Sequence, residues 1–87
     1  MPSTEQLTAR MQIDLPEDKL RQLESLMKDA GIRTKKEFVN NALTLLAWAI
    51  RETKAGRVIA AVDENDHKYK EILLPALENI AASRAMR

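Results

Sequence analysis

A short alternating segment near the start of the chain restricts its fold more than any other feature. From Arg10 to Leu15 polar and apolar residues alternate, with Met11, Ile13 and Leu15 in one set and Arg10, Gln12 and Asp14 in the other. Period two places successive side chains on opposite faces of an extended backbone, so the segment is expected to be a half-buried strand. Pro16 ends it, since proline has no amide donor and suits the first turn of a helix. The residues beyond Pro16 have helical periodicity, which leaves the strand without an adjacent partner. A lone strand has unpaired backbone donors and acceptors. Antiparallel pairing with the same strand of a second chain satisfies them, and the expected fold is therefore a homodimer.

Leu20, Leu23, Leu26, Met27 and Ala30 recur at three- and four-residue spacing, which predicts an amphipathic helix over Glu17 to Ala30. Glu17 and Asp18 complement its positive end, and Gly31 offers a left-handed stop, with Ile32 able to pack back on the helix. Thr34 and Glu37 form a Thr-x-x-Glu capping box, which sets the start of a second helix from Lys35 to about Lys54. That helix carries Phe38, Val39, Ala42, Leu43, Leu45, Leu46, Ala49 and Ile50 and stops at Gly56. Its apolar surface is wider than one amphipathic neighbour can cover, and Trp48 falls beside it. A second chain is the expected cover.

After Gly56 the pattern changes. Val58 to Val62 and Tyr69 to Leu74 have strand character, and the polar stretch between them contains turn formers, so a β-hairpin is expected with its loop in Glu64 to His67. Pro75 then opens a short helix that frays toward Arg87. Residues 1–7 lack periodicity and are expected to form a flexible arm. The division is thus residues 1–7, a core domain over 8–56, and an extension over 57–87.

Composition narrows the function. With 87 residues the chain is small for a self-sufficient core, and without cysteine it has no disulfide to help. One histidine and no cysteine give no structural zinc site, so no metal and no cofactor are expected. His67 is read as a turn residue. Two glycines in the whole chain exclude a phosphate-cradling loop of the nucleotide-binding kind. No nucleophile or carboxylate pair stands out, and the chain is not expected to be an enzyme. The apolar run from Leu43 to Ile50 is too short for a membrane span, and the residues after Met1 are polar, so a cytoplasmic protein is expected. Net charge is only +1, but between Arg33 and Arg57 six basic residues face two acidic ones, a local excess of +4, against four basic and five acidic from Val58 onward. The asymmetry points to a polyanion near the middle of the chain.

Taken together, Arg10 to Pro16, Leu20 with Leu23, and Gly31-Ile32-Arg33-Thr34-Lys35-Lys36-Glu37-Phe38-Val39 resemble the ribbon-helix-helix family of MetJ, Arc and CopG type, over roughly Thr8 to Lys54. The resemblance implies an α+β, mostly α fold: an intertwined ribbon-helix-helix homodimer, here with a C-terminal hairpin extension. It implies a core built from Met11, Ile13, Leu15, Phe38, Ala42, Leu45, Leu46, Trp48 and Ala49 of both chains. It also implies that the two-stranded ribbon enters the major groove of double-stranded DNA, with Arg10, Gln12 and Asp14 facing the bases and Arg33, Thr34, Lys35 and Lys36 at a phosphate. The chemistry suits those tasks: arginine pairs with guanine and glutamine with adenine, and a helix start binds anions. Asp14 departs from the family, which more often has a basic or hydroxyl residue there. A carboxylate at that place repels phosphate unless it accepts from cytosine N4, or it pairs with Arg10 across the ribbon.

The function expected is a transcriptional regulator, a repressor above all, that binds duplex DNA as a dimer and stacks further dimers on repeated half-sites. Two alternatives stand beside it. In one, the same module is the DNA-binding half of an antitoxin whose residues after Gly56 hold a toxin protein; such tails tend to order only on binding, whereas Val58 to Leu74 looks able to form a hairpin unaided. In the other, the chain is a dimerising adaptor without DNA binding, as Asp14 and the low net charge suggest.

Overall fold

A computed structural model of the chain describes residues 7–85. In order, the elements are α1 (Glu17–Ala30), α2 (Lys35–Lys54), β1 (Ala60–Asp63), β2 (Lys68–Glu71) and α3 (Pro75–Ala85), a mixed α+β and mainly helical set. Two compact units divide the chain, Met1–Arg33 and Thr34–Arg87, so α1 belongs to the first and everything from α2 onward to the second. The expected arm lies, apart from Leu7, outside the described residues, as do the last two residues of the expected C-terminal fray.

In the first unit, residues 7–16 are neither helical nor part of a ladder. Pro16 has φ −57° and ψ 153°, an extended conformation, and stands at the N-cap of α1 instead of inside its first turn as the sequence suggested. Its carbonyl accepts from the amides of Lys19 and Leu20, each at 3.0 Å. That carbonyl therefore opens the helix, while the missing amide forfeits nothing. Glu17 and Asp18 lie in the first turn and Lys28 in the last, each at the end of the helix dipole that favours its charge. The helix ends in a Schellman motif: Gly31 is left-handed at φ 70°, its amide donates to Lys28 O, and the Ile32 amide donates to Met27 O at 2.8 Å. None of α1's residues is buried; Leu23 and Met27 are half-buried, and Leu20 and Leu26 are exposed.

The second unit begins at Thr34, whose extended backbone and side chain cap α2: Thr34 Oγ1 accepts from the Glu37 amide at 3.0 Å. The far end closes as α1 does. Gly56 is left-handed at φ 91°, its amide donates to Thr53 O, and the Arg57 amide reaches back to Glu52 O at 2.9 Å. Beside this stop the guanidinium of Arg84, from α3, donates to the carbonyl of Lys54 at 2.8 Å, one of the last-turn acceptors that a helix cannot satisfy itself. α3 packs against α2. Ala49 and Thr53 on α2, with Leu77 on α3, are the buried residues among those described. Thr53 brings its hydroxyl into this small core without penalty by donating to Ala49 O at 2.8 Å.

β1 and β2 form an antiparallel hairpin in the register Ala60↔Glu71 to Asp63↔Lys68. The strands are shorter than the expected spans of Val58 to Val62 and Tyr69 to Leu74. The loop accounts for one end: Asp63 Oδ1 accepts from the amides of Asn65 and Asp66 at 3.2 and 3.3 Å, and His67 is left-handed at φ 55°, so Asp63 and Lys68 close the turn. α3 accounts for the other. Leu74 O accepts from the amides of Leu77 and Glu78 at 3.0 Å each, which commits Leu74 to the helix start and takes it out of the sheet.

Candidate nucleic-acid interface

The residues expected to read bases, Arg10, Gln12 and Asp14, are all exposed on the segment ahead of Pro16. Their alternates Met11, Ile13 and Leu15 are exposed as well, at 72%, 62% and 43%. Three apolar side chains at period two, each at least 43% exposed, leave apolar surface in water at a cost of roughly 25 cal/mol for each Å². Among the described residues the segment also lacks any ladder for its amides and carbonyls.

The residues expected at a phosphate belong to the loop after α1 and the first turn of α2. Thr34 spends its hydroxyl oxygen as acceptor on the Glu37 amide, which fixes the first turn and leaves the hydroxyl proton for a ligand. The amides of Lys35 and Lys36 stand in that turn, where no carbonyl within the helix lies behind them. Lys35 and Lys36 themselves are exposed, as is Arg33 immediately before the cap. Two lysines at a helix start oppose the dipole, a placement that an anion makes favourable.

Of the residues expected at a dimer core, Leu45, Leu46 and Trp48 on α2 are exposed at 62%, 38% and 43%. Ala42 is also exposed and Phe38 is half-buried. Asn40, Asn41, Thr44, Leu45 and Trp48 line a shallow groove along α2. Ala49 differs from the rest: only 4% of its surface is accessible within the chain itself, so it has almost nothing left to give a second one. It packs as core of the second unit because it lies on α2 a turn before Thr53, on the side where α3 is seated.

Arg84 is the residue that sequence spacing does not reveal. Its bond to Lys54 O joins positions thirty residues apart, and no local pattern marks it. Among the described residues there is no group of histidine, cysteine, aspartate and glutamate side chains suited to a metal ion, and no helix is long and apolar enough to cross a membrane. The chain matches no family model, no curated protein and no solved structure.

Proposed function

We propose that the chain is a double-stranded DNA-binding regulator of the ribbon-helix-helix kind, acting as a homodimer without catalysis of its own. The observation that carries the reading is the uncovered trio Met11, Ile13 and Leu15 on a segment with no ladder partner, followed at once by two helices. Pairing that segment antiparallel with its counterpart in a second chain buries the trio twice over and turns Arg10, Gln12 and Asp14 outward together. A two-stranded ribbon fits the major groove, where each base pair presents a distinct donor and acceptor pattern. The capped start of α2, with Lys35 and Lys36, supplies a phosphate anchor. The open surface of Leu45, Leu46 and Trp48 is the counterpart on α2 of the strand's apolar face.

The folded state of the region after Gly56 favours this reading over an antitoxin tail that orders only on a toxin. That region holds a hairpin and a helix seated on α2.

The test is duplex binding by the purified chain, followed by fluorescence anisotropy across a salt series, beginning with the DNA upstream of its own gene. One duplex is expected to be preferred, with log affinity falling linearly in log salt by about 0.9 per phosphate contacted. Arg10→Ala and Gln12→Ala should flatten the preference, each costing roughly 1–3 kcal/mol on the preferred duplex. Thr34→Ala with Lys35→Ala should weaken all duplexes alike. Unchanged selectivity in the Arg10 and Gln12 variants would rule out the ribbon as reader, and absence of binding at low salt would leave the adaptor.

A further inference from the structure

An isolated two-stranded hairpin is marginal in water, and a third strand or a packed face is needed for independent stability. Here β1 and β2 pair only with each other among the described residues, and neither outer edge has a strand partner, although Ala60 is half-buried. The edges differ chemically. The Ile72 amide donates to Ile59 O at 2.9 Å, and counting from there along the register makes Ala61 and Lys70 a hydrogen-bonded pair, while Ala60/Glu71 and Val62/Tyr69 are not. The amides and carbonyls of Ala60 and Val62 consequently point out along the β1 edge, and those of Tyr69 and Glu71 along the β2 edge.

Lysines guard the β2 edge. Joining two β2 strands antiparallel about Tyr69 sets Lys68 against Lys70, and joining them about Lys70 sets that lysine against itself, so like charges oppose either arrangement. On β1 the residues Ala60, Ala61 and Val62 carry neither charge nor proline, and the one charge of the strand, Asp63, stands at its turn end opposite Lys68. Two β1 strands paired antiparallel about Ala61 place Ala60 opposite Val62 and Ala61 opposite its own copy. Asp63 then falls opposite Ile59 at each end, and no like charges meet. Residues that lie opposite share a face of the sheet, so this register also puts the Val62 and Tyr69 side chains of both copies, 68% and 66% exposed in the single chain, on one side.

We infer that β1 is a self-association edge: β1 of a second copy of this chain docks antiparallel to it, centred on Ala61, to form a four-stranded sheet in the order β2-β1-β1-β2. The hairpin shares no residue with the proposed ribbon or with the proposed phosphate anchor at the start of α2.

The chain has no cysteine, which makes a single introduced one a clean probe. Opposite residues at a non-hydrogen-bonded site approach to about 4.5 Å between Cα atoms, within reach of a disulfide. Full-length Ala61→Cys should therefore form an intermolecular disulfide under mild oxidation and run at double the chain mass, whereas Lys70→Cys, on the neighbouring strand, should not. A second variant separates association from folding. In Ala61→Glu the new carboxylate faces Lys70 within its own hairpin, a favourable pair, but meets its own copy across the two-fold axis. Hydrogen exchange at the amides of Ala60 and Val62 should then quicken on the order of tenfold, while the Ala61 amide, bonded inside the hairpin, stays protected. No disulfide at Ala61→Cys, equal cross-linking at Lys70→Cys, or unchanged exchange in Ala61→Glu overturns the inference. So does capture in cells of a different protein by Ala61→Cys in place of a second copy.

Discussion

Both glycines of the chain close helices, and substituting them separates two costs. At Gly31 φ is 70° and a Cβ would meet nothing within 4 Å, so Gly31→Ala incurs only the left-handed backbone penalty, about 1 kcal/mol. At Gly56 φ is 91° and a Cβ would stand 3.0 Å from Arg84 Nη2 and 3.4 Å from its Cζ. Gly56→Ala must also push the guanidinium that holds Lys54 O by a few tenths of an ångström, weakening a bond worth about 1 kcal/mol. Urea unfolding should accordingly show Gly56→Ala as the more damaging of the two. Adding Arg84→Ala to Gly56→Ala should cost less than Arg84→Ala does alone, because the bond being removed is already weakened. Equal losses at the two glycines, with additive behaviour at Arg84, would mean that the guanidinium does not hold the end of α2. The stops themselves are legible in the sequence, since glycine after a fading apolar stripe has few other uses. The arginine that guards one of them is not, because thirty residues and a hairpin intervene.

At the scale of elements, the helices can be read where their ends carry polar chemistry of their own. The bounds of α1 and α2 follow from Pro16, Gly31, Thr34 and Gly56, each of which acts on backbone groups within four residues of itself. Thr34→Ala should cost the chain about 1 kcal/mol, because the Glu37 amide loses its acceptor at the start of a twenty-residue helix. Thr34→Asp should retain most of that stability by capping the same amide. Denaturant midpoints and helical circular dichroism check both, and a neutral Thr34→Ala would show that the cap contributes nothing. The strands are less legible for a physical reason. Val58, Ile59 and Ile72 to Leu74 have strand composition, but turn geometry at Asp63 and His67 fixes the register from one end, and the carbonyl of Leu74 opens α3 at the other. Short-range hydrogen bonds trim what apolar composition alone would extend. The alternating segment before Pro16 is the reverse case: its pattern is plain in the sequence, while among the described residues it joins no ladder.

For the molecule as a whole, the decisive quantity is how much apolar surface the chain leaves uncovered. Met11, Ile13 and Leu15 on the segment before Pro16, Leu20 and Leu26 on α1, and Leu43, Leu45, Leu46 and Trp48 on α2 are all more than a third exposed, against a buried core, among the described residues, of Ala49, Thr53 and Leu77. Fully burying one such side chain is worth about 1.5–3 kcal/mol, so completing the burial of this partly exposed set would add an amount comparable with the roughly 5–15 kcal/mol of a domain's net stability. If association supplies the remainder, unfolding is coupled to dissociation and the melting temperature must depend on concentration. Each tenfold increase in protein should add about 1.4 kcal/mol to a dimer, which for some 170 residues is roughly 3–6 °C. Ile13→Asp should reduce that dependence to what the β1 contact alone supplies, because it would place a charge without a partner between two paired strands, at a cost of several kcal/mol. A melting temperature that stayed constant over a hundredfold range of concentration would mean that one chain sustains its exposed face unaided. The ribbon, and with it the proposed reader of DNA, would then lose its physical basis.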